Sequence, residues 1–376
     1  MKICINCFVD VEIRSIIQSL EYKGDCGICE ALDNYVYDTN QHTVLERTFS
    51  NLLERYTTKA NLNESFPRKL TVSIKSELKN NWNIFNKLEE SQIYDVLIEI
   101  CSEKYEEAPE FFDDLVGVAE LGSNEYINKN TLFYAGSWDD FSKELKYKTR
   151  FHSKKFNTDI FSKYLSFLTV SINKDTVLYR GRMSEKKGFP INKMGSVSPE
   201  KSLSGRANPR GIPYLYLSEG VKTVPYELRA TKMNYVTIAE FVLKESAEII
   251  DLTKIEKMSP FVFEDEEMLT LHIVNRKHLE RTHDEMVKPV TQYESYLDYL
   301  PTQYIFDFIR NNKNVLLGRL PSKGENNHRE IIGVKYQSSL HSNGINYVFF
   351  EESYFEKRNA AVYKIDNVEY QIIEVD

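Results

Sequence analysis

The sequence predicts a multidomain protein with a cysteine-rich and then helical N-terminal region, followed by an α+β C-terminal domain. Three observations support this fold class. Four of the five cysteines lie within the first 29 residues. As far as about residue 160, apolar residues recur at intervals of three and four, the spacing along one face of a helix. From Thr176 onward, short runs of Val, Ile, Leu and Tyr alternate with loops, as in strands.

The composition is that of an ordinary globular protein. The chain has 376 residues, of which 41% are hydrophobic and 28% charged, and this length predicts two or three domains. Its 48 basic and 56 acidic residues leave a net charge of −8, which argues against a protein built mainly to coat nucleic acid. The sequence has neither an apolar run long enough to span a bilayer nor a secretory signal peptide at its start. We therefore expect a cytoplasmic protein with no membrane partner.

Two pairs of cysteines occur near the N-terminus, each with two residues between its members: Cys4, Cys7, Cys26 and Cys29. This spacing lets both sulfurs of a pair reach one metal ion, and two such pairs complete a closed tetrahedron. The pattern predicts that residues 1–32 form a structural zinc-binding unit, with a helix over Val9–Leu20. The alternative is four reduced cysteines without a metal, and disulfides are disfavoured without a secretory context.

Residues 33–160 are predicted to form a helical domain. Apolar spacings of three and four occur over Thr43–Thr57, Thr71–Leu78, Gln92–Tyr105 and Trp138–Lys148. Ser137 stands at the N-cap position of the last of these helices. The basic run 143–155 is interpreted as a solvated helix face and linker in preference to an RNA-binding patch.

Residues 161–376 are predicted to form the α+β domain. Candidate strands are Thr176–Tyr179, Tyr214–Ser218, Tyr235–Val242, Glu248–Leu252, Ile331–Gln337 and Tyr347–Phe350, with a terminal hairpin through Val362–Ile365 and Val368–Val375. Helices are predicted at Val221–Thr231 and Thr302–Asn312. Few regular helical crossovers separate the strands, which favours α+β over a doubly wound parallel sheet. No G-x-G-x-x-G follows a strand, so the redox dinucleotide fingerprint is absent.

Three segments of this domain contain the candidate functional residues. Leu178–Arg182 contains Arg180, and Gly333–Ser339 contains Ser338. Between them, Ser204–Ala230 combines a turn-rich loop, a strand and a helix that contains Glu227. A loop with arginines followed by a carboxylate at a strand–helix junction is an arrangement that suits an anionic ligand.

In this order, the three segments resemble the RES domain, a family named after an arginine, a glutamate and a serine. Arg180, Glu227 and Ser338 fall at the matching places, and the resemblance covers approximately Thr176–Phe350. The helical region resembles the HEPN-type module that precedes some RES domains. Together with the cysteines, the resemblance predicts a zinc-stapled helical N-terminal region and an α+β, ADP-ribosyltransferase-like C-terminal domain.

The resemblance implies that NAD is a substrate and not a redox cofactor. RES proteins break the bond between nicotinamide and ribose, with water or phosphate as the acceptor. The transition state of such a reaction resembles an oxocarbenium ion, which a carboxylate stabilises. Glu227 is the candidate for this role, and Arg180 and Arg206 are candidates for the pyrophosphate, which a planar guanidinium binds well.

Four further roles follow from the same resemblance. Ser338 would bond near the nicotinamide ribose, Tyr216 would stack on the nicotinamide or ribose, Asn346 would supply an amide contact, and Tyr179 would contribute to substrate binding. Structural alternatives remain open. Arg180 and Glu227 would then form an ion pair, Tyr216 would pack in the core, Arg206 would bond loop carbonyls, and Ser338 would cap a strand.

The main functional hypothesis is an NAD-degrading toxin or anti-phage defence effector, controlled by its N-terminal domains or by an antitoxin or activating partner. A homo-oligomer is compatible with this hypothesis. One alternative is an ADP-ribosyltransferase that modifies a protein or nucleic acid. Another is a HEPN-type protein that binds or cleaves RNA. The negative net charge and the lack of a catalytic Arg/His spacing in the helical region weigh against the RNA hypothesis.

Overall fold

The computed structural model describes residues 1–134, 136–288, 296–311 and 330–368. The chain divides into two compact units. The N-terminal unit comprises Met1–Ala135 and Glu256–Lys277, and the C-terminal unit comprises Gly136–Ile255 and His278–Asp376. These units do not follow the predicted boundaries after residues 32 and 160.

The N-terminal unit contains two small antiparallel sheets. Strands β1 (Lys2–Cys4), β3 (Asn34–Asp38) and β2 (Lys23–Gly24) form the first in that order, and β4 (Thr57–Thr58), β6 (Leu115–Gly117) and β5 (Val72–Ser73) form the second. Its helices are α1 (Val11–Ser19), α2 (Val44–Leu53), α3 (Ile74–Ser76), α4 (Glu90–Ile100), α5 (Ser102–Glu107), α6 (Glu110–Asp113) and α7 (Asn124–Asn130).

The cysteine-rich segment is not separate from the helices that follow it. Strand β3 begins after residue 32, yet it lies between β1 and β2 and joins both by antiparallel pairing. One core continues from Ile3 and Phe8 through Val36 to Phe49 and Leu97. A boundary at residue 32 would cut through both this sheet and this core.

The prediction of a mainly helical region over 33–160 missed four strands, β3 to β6. Strands of two to five residues are too short for period-two alternation to stand out from the neighbouring helical pattern. The predicted helix over Val9–Leu20 is present as α1, capped by the Asp10 carboxylate, which accepts from the amides of Glu12 and Ile13.

The C-terminal unit is built around an eight-stranded mixed sheet in the order β14-β10-β8-β9-β13-β12-β11-β7. All neighbouring pairs are antiparallel except β11 with β12. The strands are β7 (Thr169–Ile172), β8 (Val177–Ser184), β9 (Leu215–Ser218), β10 (Tyr235–Leu243), β11 (Ala247–Asp251), β12 (Ile331–Gln337), β13 (Ile345–Phe349) and β14 (Phe355–Lys364). The predicted α+β class is therefore confirmed for this region.

The helices of this unit are α8 (Trp138–Tyr147), α9 (Thr158–Leu168), α10 (Thr223–Glu227) and α12 (Leu300–Asn311). A further helix, α11, spans Glu266–Val287 and was not predicted; its residues up to Lys277 belong to the N-terminal unit. Ser137 caps α8 as predicted, accepting a bond from the Asp140 amide. Strand β14 contains part of the first arm of the predicted terminal hairpin, whereas the second arm falls almost wholly outside the described residues. No helix in the described parts of the chain is long and apolar enough to cross a bilayer.

Of the neighbouring strands in this sheet, β8 and β9 share the fewest paired residues. Strand β8 pairs with β10 at eight successive positions, from Val177 to Ser184, but meets β9 at the single pair Tyr179–Ser218. Beside this pair, the main-chain groups of β8 and β9 that face each other do not form further β8–β9 pairs. Side chains from β8 and β9 can therefore converge on a pocket in the sheet.

Helix α10 packs closely against β8 at Gly181. A Cβ atom on this residue would lie 2.1 Å from Val224 Cγ1 and 2.9 Å from Leu228 Cδ1. Only glycine permits such an approach. The absence of a side chain at Gly181 thus allows α10 to bring Glu227, its last residue, over the sheet.

Candidate active site

A pocket of about 290 Å³ opens where β8, β9, α10 and the β12–β13 pair meet. Its lining residues are Tyr179, Arg180, Gly181, Tyr216, Leu217, Ser218, Val224, Glu227, Leu228, Tyr336 and Asn346. Of the seven predicted catalytic and substrate-binding residues, five line this pocket: Tyr179, Arg180, Tyr216, Glu227 and Asn346. Ser338 lies directly behind Glu227, and Arg206 lies outside the lining.

The carboxylate of Glu227 is held by two buried side chains through one of its oxygens. Ser338 Oγ donates to Glu227 Oε1 at 2.5 Å, and Asn346 Nδ2 donates to the same oxygen at 2.7 Å. Ser338 and Asn346 are each 4% exposed, whereas Glu227 is exposed. Glu227 Oε2 has no hydrogen-bond partner among the described residues, so it is available to a ligand.

Ser338 both caps the end of β12 and bonds Glu227. Its Oγ accepts from the amides of Leu340 and His341 at 3.2 and 3.0 Å. Because those two amides occupy its lone pairs, the hydroxyl hydrogen is directed at Glu227. Ser339, the neighbour that competed for this role in the sequence, is exposed. Ser338 therefore orients the glutamate from behind and does not line the pocket.

Arg180 lines the same pocket from strand β8. Its Nη1 donates to the main-chain oxygen of Tyr216 at 3.5 Å, across the opening between β8 and β9. Burial lowers the pKa of Arg180 to about 10, with Arg182 adding to the effect and Glu352 opposing it, so the guanidinium remains cationic at neutral pH. Within the described residues, no ion pair joins Arg180 to Glu227. The two charges face one pocket without neutralising each other.

A comparison with family models matches the RES domain over residues 179–371, slightly more than half of the chain. The chain belongs to the RES domain family. RES domains are generally associated with NAD-related toxin activity. The match begins at residue 179, so the zinc-binding and HEPN-like predictions for the N-terminal region fall outside it. Searches of curated proteins and of solved structures found no significant match.

The pocket described above is called the RES pocket from here on. The loop before strand β9 fixes Tyr216 at the edge of this pocket. Its hydroxyl donates to Asn208 Oδ1 at 2.7 Å. Asn208 is buried, and its Nδ2 lies within hydrogen-bond distance of four oxygens of the loop, those of Ser202, Leu203, Pro209 and Ile212. Burial also raises the pKa of Tyr216, which keeps the phenol neutral. Tyr216 is therefore a rigid, neutral aromatic wall and more than a packing residue.

Arg206 is not among the lining residues of the RES pocket. Its Nη1 donates to the carbonyl oxygen of Glu285, and Thr302 Oγ1 donates to the Arg206 carbonyl at 2.8 Å. Arg206 Nη2 is buried with no hydrogen-bond partner among the described residues. These contacts match the loop-shaping alternative.

Sequence reasoning missed two lining residues of the RES pocket that have polar side chains, Tyr336 and Ser218. Tyr336 lines the pocket, and burial raises the pKa of its phenol, with Tyr216 and Glu227 adding to the shift and Arg206 opposing it. Ser218 is buried and donates to Asn346 Oδ1 at 2.8 Å. A signal for both residues was available. Tyr336 precedes Ser338 by two positions and Ser218 follows Tyr216 by two, so within a strand each pair shares a face.

The four N-terminal cysteines converge as predicted. Their sulfur atoms all lie within 4.8 Å of one another, and the closest contacts are Cys4–Cys29 at 3.4 Å, Cys7–Cys26 at 3.6 Å and Cys4–Cys7 at 3.8 Å. The cluster could hold a metal ion. Cys101, the fifth cysteine, is buried elsewhere in the core.

The electrostatics of the cluster suit a bound cation. Burial, with smaller contributions from neighbouring Cys29 and Cys26, raises the pKa of the Cys4 thiol to about 11. Burial also acts on Cys26, but amides of Cys29, Ile28 and Cys4 outweigh it and lower the pKa of Cys26 to about 7. A metal cation offsets the cost of burying thiolates, because coordination deprotonates a thiol.

Proposed function

We propose that this protein is an NAD-degrading enzyme that cleaves the bond between nicotinamide and ribose. One observation carries the proposal: Arg180 and the unpaired Oε2 of Glu227 face one pocket without forming an ion pair. A substrate with an anionic pyrophosphate and a cationic nicotinamide ribose complements these two charges. Membership of the RES domain family supports the same substrate.

The pocket volume supports binding of one half of the dinucleotide. About 290 Å³ lies at the lower end of ligand pockets, which span roughly 300–1,000 Å³. Such a volume suits the nicotinamide ribose, with Tyr216 and Tyr179 as aromatic walls. The adenosine half would extend beyond the pocket, past Arg180.

Glu227 would act on the ribose through Oε2. The bond between ribose C1′ and the nicotinamide nitrogen breaks, and its electron pair leaves with nicotinamide, which becomes neutral. The carboxylate stabilises the oxocarbenium-like charge that develops on the ribose. An oxygen of water or phosphate then bonds to C1′, and water releases a proton in doing so. The products are ADP-ribose or its 1″-phosphate.

A cytoplasmic enzyme of this kind depletes a common metabolite, so we propose that it acts as a toxin or defence effector. Its activity would then be restrained by the N-terminal region or by a partner such as an antitoxin. Unchanged turnover and toxicity after removal of the first 135 residues would exclude restraint by that region.

For the cysteine cluster we propose a structural zinc ion. A Zn–S bond of about 2.3 Å in a tetrahedron requires sulfurs about 3.8 Å apart. The three closest sulfur contacts, 3.4 to 3.8 Å, approach this value. Four cysteine ligands close the coordination sphere and leave no position for water, so the ion would stabilise the fold without a role in the chemistry.

The test of the enzymatic proposal is direct. The purified protein is incubated with NAD, with and without phosphate, and nicotinamide and the adenine-containing product are separated by chromatography. Glu227→Gln should abolish nicotinamide release, whereas Glu185→Gln, at an exposed position outside the pocket, should not. Transfer of label from adenine-labelled NAD to protein or nucleic acid would favour an ADP-ribosyltransferase. Nicotinamide release that survives Glu227→Gln would overturn the assignment of Glu227.

A further inference from the structure

Ser218 is the first member of a buried hydrogen-bond chain that ends at Glu227 in the pocket. It is 5% exposed, at the end of β9, and its Oγ donates to Asn346 Oδ1 on the adjacent strand β13. Asn346 Nδ2 in turn donates to Glu227 Oε1. The three residues therefore run from the sheet interior to an exposed carboxylate.

The chemistry of the amide defines what Ser218 contributes. A carboxylate oxygen only accepts, so the NH₂ group of Asn346 must face Glu227. The amide oxygen then points into the sheet, where it is buried and requires a donor. Ser218 supplies that donor. Without the Ser218 hydroxyl, the buried amide oxygen of Asn346 would lack a donor, which favours rotation of the Asn346 side chain away from its present position. Glu227 would then lose one of the two hydrogen bonds that hold its carboxylate.

Glu227 depends on such support because of its location. It is the last residue of a five-residue helix and is exposed, so its long side chain has several rotamers within reach. Ser338 and Asn346 both bond Oε1 and none of the described residues bonds Oε2. Oε1 of Glu227 is therefore held by the protein, whereas Oε2 is left for a ligand.

We infer that Ser218 is a positioning residue that, through Asn346, holds Glu227 with one oxygen presented to the pocket. This inference rests on the proposed function for its kinetic consequence. Ser218 itself needs no contact with the reacting atoms. Its loss misplaces the group that stabilises the transition state but leaves Arg180 and the aromatic walls intact, so kcat should fall while KM changes little.

The test is a double-mutant cycle in the full-length protein with NAD as substrate. Ser218→Ala is expected to lower kcat about tenfold with KM within about twofold, and Asn346→Ala to lower kcat at least as much. Because Ser218 acts through Asn346, the double variant should be no slower than Asn346→Ala alone. Additive losses, or a loss confined to KM, would overturn the inference. Thr237→Val removes another buried hydroxyl of the sheet away from the pocket and should leave kcat unchanged.

A second measurement separates this inference from the proposed function. A crystal structure of Ser218→Ala should show the Glu227 side chain in more than one conformer, against a single conformer in the unmodified protein. A single unmoved conformer in the variant would overturn the positioning role, whether or not NAD is consumed. Failure of the unmodified protein to consume NAD would instead count against the proposed function, and the conformers of Glu227 would still decide the role of Ser218.

Discussion

Gly181 and Val224 approach so closely that a single methyl group at position 181 would overlap the valine side chain. Gly181 is in the middle of β8, next to Arg180, and Val224 is in α10, three residues before Glu227. The distance between the strand with the arginine and the helix with the glutamate is thus set by the lack of a side chain. The two charged groups of the pocket are placed together by this contact.

Gly181→Ala should therefore displace α10 and with it Glu227. We expect a loss of about 1–3 kcal/mol in the free energy of unfolding, the usual cost of overpacking, together with a fall in NAD turnover. Thermal unfolding and the nicotinamide assay measure the two effects. Gly220→Ala is the matched control, because a Cβ atom there meets nothing within 4 Å. Equal effects of the two substitutions would contradict the packing argument.

Arg180→Lys should weaken substrate binding although it keeps the positive charge. Lysine lacks the planar fork that matches two phosphate oxygens, so KM for NAD should rise about tenfold, or about 1.4 kcal/mol, with a smaller change in kcat. Steady-state kinetics measures both constants. Arg182→Lys is the control, since Arg182 donates to the Lys193 carbonyl and stacks on Phe189 outside the pocket lining. A normal KM for Arg180→Lys would rule out Arg180 as the pyrophosphate ligand.

Removal of the proposed zinc ion should destabilise the N-terminal unit, because the sulfurs of Cys4, Cys7 and Cys26 belong to its core. Cys7→Ser is expected to abolish one bound zinc per chain and to lower the melting temperature, whereas Cys101→Ser should retain the metal. Elemental analysis of the purified variants and thermal unfolding with and without a chelator test this. A full zinc content in Cys7→Ser, or none in the unmodified protein, would contradict the assignment.

The N-terminal unit should lose stability in acid because of His272. Burial, with a smaller contribution from Arg276, lowers the pKa of His272 to about 3, so the folded state holds this histidine neutral. The unfolded state binds the proton near pH 6.5, so stability present above that pH falls by up to about 1.4 kcal/mol per unit as pH drops towards 3. Denaturant unfolding at pH 7 and pH 5 measures the difference.

His272→Phe should reduce this pH dependence, since a neutral ring can occupy the space between Trp82 and Phe263. His152→Gln, at an exposed position, should leave it unchanged. If His272→Phe and the unmodified protein lose the same stability between pH 7 and pH 5, another group is responsible.

Most of the C-terminal sheet could be predicted from the sequence. The runs that became β8 to β13 are rich in β-branched and aromatic residues. The bounds predicted for β9 to β13 agree within two residues, whereas β8 was predicted to end at Tyr179 and continues to Ser184. Strand β7 and helix α11 were missed. Strand β7 follows α9 without a turn residue, and α11 has mostly polar residues around its apolar ones, so neither shows a clean period.

The sequence named most of the residues that lie at the candidate site, but it did not predict how their side chains are arranged. Arg180 and Glu227 line one pocket, yet Arg206, which looked equally suited to an anion, bonds the Glu285 carbonyl. Ser338 donates a hydrogen bond to Glu227 and does not line the pocket. No local pattern distinguishes an arginine that faces a ligand from one that shapes a loop, because the difference depends on which distant carbonyl lies within reach.

The sequence by itself determined most strands of the C-terminal sheet, the cysteine pairs and the candidate arginine, glutamate and serine, because these depend on periodicity and short spacing. Only the tertiary structure decided that Ser338 and Asn346 share one oxygen of Glu227. Those bonds join residues 111 and 119 positions apart in the chain. Their geometry is set by how β9, β13 and α10 pack, and that packing depends on the whole sheet and on the missing side chain at Gly181.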